Sequence, residues 1–332
     1  MDLGTTYLGL DLPHPFVAGA SPLSDSVDRA RRLEDGGAAA IVLRSLFEEQ
    51  IDAEALAHHF ATESHAHSSA EAAGWFPDID DCIFGPDEYL EHLRRVKEAV
   101  SVPVIASLNG RTLGGWLRYA QELERAGASA LELNLFEVET DPEEGAEEIE
   151  ERQVEMVEEV KRAVRIPIAV KLSPFYTSLA HFGARLAAAG ADGLILFNRF
   201  YETDIDVDEL EVRTHLELSQ PDELLLRLRW LAVLSGRVDC SLAVTGGVHT
   251  ARDAAKALLC GADAVQMVSV LLHHGPQRLQ ETRDRLVSWM QERGYESLAQ
   301  MRGAMNLTRA PDPKAFARAN YMRVLQTWRM GT

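Results

Sequence analysis

A chain of 332 residues that is 46% hydrophobic has enough apolar material for a large core, which excludes a disordered segment. Its 52 acidic residues against 33 basic give a net charge of −19, which argues against nucleic acid or a membrane surface as partner, since both demand a basic face. The three cysteines, Cys82, Cys240 and Cys260, form no CxxC and leave no room for a disulfide framework, a cysteine metal site or an iron–sulfur cluster in this chain. No basic-then-apolar leader and no run of ~18 apolar residues is visible, so a soluble, cytoplasmic protein is expected.

In chain order, eight short apolar runs read as strands: 16 to 20, 39 to 43, 103 to 108, 130 to 135, 167 to 172, 193 to 198, 242 to 246 and 264 to 270. Amphipathic stretches between them read as helices, among them Ser26 to Asp35, Asp87 to Val100, Leu113 to Ala126, Glu143 to Val164, Ser178 to Ala189 and Pro221 to Leu234. Strands two, four, six and eight are each preceded by Gly-Ala (Gly37, Gly127, Gly190, Gly261), the position where a helix takes its left-handed cap. Pro103 and Pro167 open strands three and five, where a missing N–H is harmless. Alternation of continuous apolar strands with helices implies a parallel sheet buried on both faces, and eight such units favour a closed (β/α)₈ TIM barrel formed by a single domain over residues 1–332.

Three stretches exceed a minimal barrel. A loop of some forty residues after strand two, Phe47 to Pro86, has the length of a lid or binding element and holds His58, His59, His65 and His67. Their HH and HxH spacings on a polar loop read as solvated side chains, and no metal is expected. A carboxylate-rich insertion, Phe200 to Ser219, follows strand six. The tail, residues 311–332, reads as a basic helical extension suited to a surface or a subunit contact.

In such barrels chemistry sits at the C-terminal strand ends, and nearly every strand here ends in a polar group: Ser21, Arg44 and Ser45, Asn109, Asn134 and Glu137, Lys171, Asn198, Gly246 and Gly247, and Ser269. Lys171 stands in an otherwise apolar strand, so its ammonium must reach a partner at the barrel mouth or carry a large desolvation cost. Asn134 and Asn198 offer both donor and acceptor edges, although each can equally be a satisfied core amide. From Leu242 to Val270 the chain reads strand, Gly246-Gly247 turn, helix capped by Thr250 and Asp253, strand, which is the pattern of a phosphate site. Phosphate, buried cation and amide edges together describe a site for flavin mononucleotide (FMN).

The segments HPFVAGAS, ELNL, PIAVKLSPF, LFNRF and TGGVHTARDAAKALLCGADAVQM together resemble the dihydroorotate dehydrogenase family of FMN-dependent barrels, over roughly residues 3 to 305. The resemblance implies that Lys171 lies beside the flavin ring and stabilises its reduced, negative form. It also implies that Ala20, Ser21, Ser45, Asn134 and Asn198 line flavin or substrate, and that Gly246, Gly247 and Ser269 hold the phosphate. Arg44 stands where the family often has lysine, and Ser269 where it has threonine. The family follows ELNL with a motif carrying a Cys or Ser base, whereas this chain reads Phe136, Glu137, Val138 and Glu139. Glu137 in a mostly apolar pocket would make a general base or acid; it reads equally as the first surface carboxylate of the acidic run to Glu159. Glu139 would put negative charge where an anionic substrate lies, and Cys82 is a further thiol on the long loop.

The implied activity is oxidation of dihydroorotate, or a related dihydropyrimidine or enone, by hydride transfer to the flavin N5. A flavin-holding electron-transfer subunit and a phosphate-gripping lyase with a Lys171 Schiff base are the alternatives. Without cluster-binding cysteines, electrons must leave to a soluble acceptor or a partner protein, and the family's habit makes a homodimer the expected self-association.

Overall fold

The first fifteen residues carry no strand signal that periodicity detects, yet they close one end of the molecule. In the computed structural model, which describes residues 1–48, 85–110, 112–135, 137–199, 203–213, 216–316 and 320–327, β1 (Thr5–Tyr7) and β2 (Leu10–Leu12) pair antiparallel. Leu8 and Gly9, both at positive φ (55° and 71°), make the two-residue turn between them, the combination whose twist matches a hairpin.

Eight parallel strands follow: β3 (Phe16–Ala18), β4 (Ile41–Phe47), β5 (Val104–Asn109), β6 (Ala130–Asn134), β7 (Ile168–Leu172), β8 (Gly193–Leu196), β11 (Ser241–Thr245) and β12 (Ala264–Met267). β12 pairs back to β3, so the sheet closes into the barrel expected from the sequence. Between β8 and β11, inside the acidic insertion, β9 (Asp204–Asp206) and β10 (Glu211–Arg213) form a separate antiparallel ladder. Helices α1 (Val27–Asp35), α2 (Pro86–Ala99), α3 (Leu113–Arg125), α4 (Ala146–Ala163), α5 (Leu179–Ala188), α6 (Leu224–Leu234) and α7 (Ala251–Cys260) alternate with the strands. The Gly-Ala junctions behave as the sequence suggests: Gly261 caps α7 with φ 115°, and Thr250 and Asp253 form its N-terminal box.

One predicted strand is shorter than its apolar run. Residues 264 to 270 end as a strand at Met267, and Ser269 instead opens a short helix, α8 (Ser269–His274). The neighbouring strands explain it: β3 ends at Ala18, paired with Met267, and β11 at Thr245, so nothing remains for residue 269 to pair with. After α8 the chain continues through α9 (Arg278–Glu292) and α10 (Leu298–Met301) to α11 (Asn320–Thr327) within the predicted tail. No described helix is long and apolar enough to cross a membrane. The loop carrying His58, His59, His65, His67 and Cys82 lies outside the described residues.

The period of two along each strand sorts its residues between two cores. Outward positions such as Leu131, Leu133, Val170 and Val265 pack under the helices. Inward positions at the lower end are mostly small, Ala39, Ala130, Ala169, Ala243 and Ala264, and the space they leave is filled by Tyr7 and Leu8 of the hairpin. Gly193 is needed there for close approach, because a Cβ on it would stand 2.5 Å from the Leu8 Cδ2. The barrel is thus plugged below, and towards the C-terminal strand ends polar residues, among them Ser107, Glu132, Asn134, Lys171 and Gln266, join Val17 and Ile195 at the inward positions.

Candidate functional site

Polar side chains at those upper inward positions build a connected network from five strands. Glu132 on β6 is fully buried; its Oε1 lies 3.0 Å from the Lys171 Nζ on β7, and its Oε2 accepts from the Gln266 Nε2 on β12 at 2.8 Å. Two buried charges are tolerable because each is the other's partner and further donors occupy the carboxylate. One layer higher, the Asn134 Nδ2 donates to the Ser45 Oγ (2.9 Å) and the Ser107 Oγ (3.0 Å). Ser45 points inward because the β4–β5 register shifts between Val42 and Ser45. The same irregularity turns Arg44 outward, where it pairs with Asp25 at 3.2 Å. Burial raises the Asp25 carboxyl from its ordinary value, while Arg44 opposes the rise. In and beneath this network the Asn134 Oδ1, the Gln266 Oε1 and the Tyr7 hydroxyl are buried without a hydrogen-bond partner among the described residues. Burial, and next the charge of Glu132, push the Tyr7 hydroxyl's pKa well up, so it stays neutral beneath the pair.

Above this layer Lys171, Ala20, Asn198, Gly246 and Ser269, drawn from five strand ends, line one cavity of about 120 Å³. Gly246 and Gly247 hold φ of 84° and 78°, which a side chain would resist, and a Cβ on Gly247 would stand 2.6 Å from the Leu224 backbone nitrogen. Ser219, from the end of the acidic insertion, sits in the turn they make. Its Oγ accepts the Gly247 N–H at 3.2 Å and contacts the Ser269 Oγ at 2.7 Å, while its own N–H reaches the Ser269 Oγ at 3.0 Å. A hydroxyl oxygen thus occupies a backbone amide and a serine hydroxyl in the way a phosphate oxygen would. The donor set suits the expected flavin mononucleotide: a cation and an unspent amide acceptor on the barrel axis, and amide and hydroxyl donors at the glycine turn. The enclosed volume is that of the phosphate end rather than of a whole nucleotide, for which pockets begin near roughly 300 Å³.

Of the other expected residues, Ser21 is buried at the end of β3, where its Oγ accepts the Leu23 N–H at 3.4 Å, and half-buried Asn109 ends β5 opposite Phe47. Glu137 requires a correction. The mostly apolar surroundings expected for it are not found: its carboxylate meets the Arg152 Nη2 and the Gln153 Nε2, each at 3.3 Å, and its side chain is 35% exposed. Arg152 also gathers Glu139 and Glu144, so Glu139 is likewise an arginine's partner. Glu137 lines a different cavity from Lys171, about 310 Å³, with Ser173, Phe175 and Tyr176. Helix α4 explains this, because it brings Arg152 and Gln153 beside the β6 loop, a proximity that strand patterning does not encode.

Sequence reading passed over Glu132, Gln266, Ser219, Arg199 and Arg227. The first two carry the signal that singled out Lys171, a lone polar residue inside an apolar strand. Arg227 was masked by a helix, LLLRLRWLAVL, apolar on nearly every side.

The chain matches the dihydroorotate dehydrogenase family over residues 82–290. It is 27% identical over 318 residues to the "Dihydroorotate dehydrogenase B (NAD(+)), catalytic subunit" of Thermoplasma volcanium, covering 91% of this chain and 98% of that one. The protein of the same description from Methanothermobacter thermautotrophicus is 26% identical over 321 residues, 91% and 97% of the two chains. The "NAD-dependent dihydropyrimidine dehydrogenase subunit PreA" of Escherichia coli is 24% identical over 327 residues, 92% and 77%.

Proposed function

The chain belongs to the dihydroorotate dehydrogenase family, and on that premise we propose that it is an FMN-dependent oxidoreductase acting on a CH–CH bond of a dihydropyrimidine ring. Dihydroorotate is the first candidate substrate. The observation that carries the reading is the buried Lys171–Glu132 pair on the floor of the cavity whose far wall is the Gly246-Gly247 turn.

FMN, when bound, supplies a ring that accepts a hydride. Lys171 brings a fixed positive charge to the place where negative charge develops, and Glu132 holds that ammonium in position. Asn134, with its Oδ1 unspent, and Asn198 orient ring amides by accepting their N–H groups. Gly247 and Ser269 take the phosphate, Ser219 yielding its place. Ala20, Ser21, Ser45 and Asn109 complete the surround of the cofactor in this reading, while Arg44, turned outward to Asp25, is left out of it. Glu137, at the position that the resemblance gives to the family's base, accepts the proton, which requires it to leave Arg152 and turn from its own cavity toward a substrate beside Lys171. The lyase alternative is disfavoured by the ion pair, since a Schiff base needs a free amine and Lys171 faces a buried carboxylate.

The names of the Thermoplasma and Escherichia relatives describe subunits. With three cysteines and no CxxC of its own, this chain on our reading passes electrons to a soluble acceptor or a partner protein in the cytoplasm, as one domain with residues 311–332 as an extension. Anaerobic addition of dihydroorotate to the purified protein is expected to bleach the visible band of bound oxidised flavin. A yellow protein that uracil-type dihydropyrimidines bleach and dihydroorotate does not would reassign the substrate, and a colourless protein that cannot be loaded with FMN would overturn the reading.

A further inference from the structure

Arg227 is 5% exposed and lines the same small cavity as Lys171 and Ser269. Its Nε donates to the Thr245 carbonyl and its Nη1 to the Glu223 carbonyl at 2.7 Å. These bonds use two of the five N–H groups a guanidinium carries. Among the described residues it makes no ion pair: the Glu223 carboxylate is engaged by Arg199 instead. The unspent end of Arg227 faces the glycine turn, where a Cβ on Gly246 would stand 2.7 Å from the Arg227 Nη2. Arg199 lines the cavity too, and its Nε is buried without an acceptor.

A buried guanidinium without an ion pair carries a desolvation cost that two carbonyl hydrogen bonds and the nearby charge of Glu223 offset only in part. Burial first lowers the pKa of Arg227 from its ordinary value, Glu223 opposes this, and the charge of Arg199 adds to it. On a chain of net charge −19, Lys171, Arg199 and Arg227 nevertheless converge on one cavity whose lining holds a single carboxylate, Glu217. Lys171 has Glu132 and Arg199 has Glu223 as partner, which leaves Arg227 as the charge that an anion in the cavity would balance. The cavity already presents the Gly247 amide and the Ser269 hydroxyl to an oxygen.

We propose that Arg227, seconded by Arg199, is the counter-cation for the phosphate monoester of the bound cofactor. The assignment rests on the FMN reading above and extends it, because that reading left the phosphate to neutral amide and hydroxyl donors. A guanidinium that served only to tie α6 to β11 would influence every ligand of the barrel alike. One that faces the phosphate distinguishes ligands by the phosphate alone.

FMN and riboflavin differ by that group, and their dissociation constants for the full-length chain can be read from the quenching of flavin fluorescence. The unsubstituted chain is expected to prefer FMN. Arg227→Met is expected to weaken FMN about 10- to 100-fold, the worth of a hydrogen bond to a charged group, and to leave riboflavin within about twofold. Arg199→Gln, at a partly exposed position that tolerates change, is expected to shift the same ratio in the same direction by a smaller factor. Equal weakening of both flavins in Arg227→Met, or no change in either, would overturn the assignment.

Inorganic phosphate provides a second probe. It is expected to raise the melting temperature of the unsubstituted chain and to do so less in Arg227→Lys, which keeps the charge and shortens the reach, and in Arg199→Gln. If the protein binds no flavin yet phosphate stabilises it in an Arg227-dependent way, the anion site stands and the FMN reading falls. If it binds FMN and riboflavin equally well, the FMN reading survives and Arg227 loses its role. A chain that responds to neither flavin nor phosphate overturns both.

Discussion

Replacing Glu132 by glutamine tests the centre of the barrel. Lys171 and Glu132 are 3.0 Å apart, with side-chain exposures of 10% and 0%, so removing the negative charge strands an ammonium in the interior. Breaking a buried pair by removing one partner costs about 3–5 kcal/mol. The geometry places Glu132→Gln at the lower end. The new amide retains an acceptor for Lys171, and its amide nitrogen can face the Gln266 Oε1, unpartnered at present, if Gln266 turns over. A loss of about 3 kcal/mol in urea unfolding is therefore expected.

The double variant Glu132→Gln, Lys171→Met removes the stranded charge, and apolar replacement of a buried pair is often neutral within a few kcal/mol. It should recover most of the loss. A Glu132→Gln cost below about 1 kcal/mol would mean that water screens the pair. A double variant no more stable than Glu132→Gln alone would show that the loss came from packing rather than from charge, and the argument for Lys171 as a held cation would fail with it.

The other tests address single links. Lys171→Ala is expected to weaken flavin binding or slow flavin reduction; stopped-flow reduction at the unsubstituted rate would remove it from its role. Glu137→Gln is expected to cost on the order of 10²–10⁴ in reduction rate as the loss of a general base, whereas Arg152→Ala, which frees Glu137, should leave that rate within about tenfold; equal losses in both would make Glu137 a structural partner of Arg152. Gly247→Ala combines a positive φ of 78° with a Cβ 2.6 Å from the Leu224 backbone, so it should cost about 2 kcal/mol or more in urea unfolding; a change within about 0.5 kcal/mol would refute the turn geometry.

His14 supplies a pH dependence. Burial, and then Arg283, lower its pKa from 6.5 to about 4, and its Nδ1 accepts the Phe16 N–H, which requires the neutral ring. The unfolded chain takes up this proton below pH 6.5 and the native protein only near 4. Stability should therefore fall as pH drops across that window, by a few kcal/mol at about 1.4 per unit, and level off below it. His14→Gln should remove this part of the slope; an unchanged profile in urea melts at several pH values would place the titration elsewhere.

Eight strands, the helices between them and their glycine caps were legible in the residues because each is set by local forces: alternation against a single buried layer, capping side chains, the backbone freedom of glycine. Lys171 and the Gly246-Gly247 turn could be singled out for the same reason, as a polar group and a flexible pair where continuous apolar chain was due. Glu132 was equally legible in principle. A carboxylate within ALELN violates its strand's pattern as plainly as Lys171 does, but its meaning depends on the partner one strand away, 39 residues along the chain.

What only the tertiary structure decided are the pairings at long separation. The hairpin of residues 5–12 becomes a plug because small inward residues on several distant strands leave room for Tyr7 and Leu8. Glu137 turns to Arg152 because α4 packs beside the β6 loop, so a position that the motif resemblance gave to a catalytic base meets an arginine in space. Arg227, invisible in an apolar helix, reaches the glycine turn because α6 lies against the end of β11. Local sequence sets which elements form, since their stabilising contacts lie within a few residues. Which charges are stranded and which are satisfied is a property of the closed barrel, because desolvation is imposed by neighbours that the chain brings together only on folding.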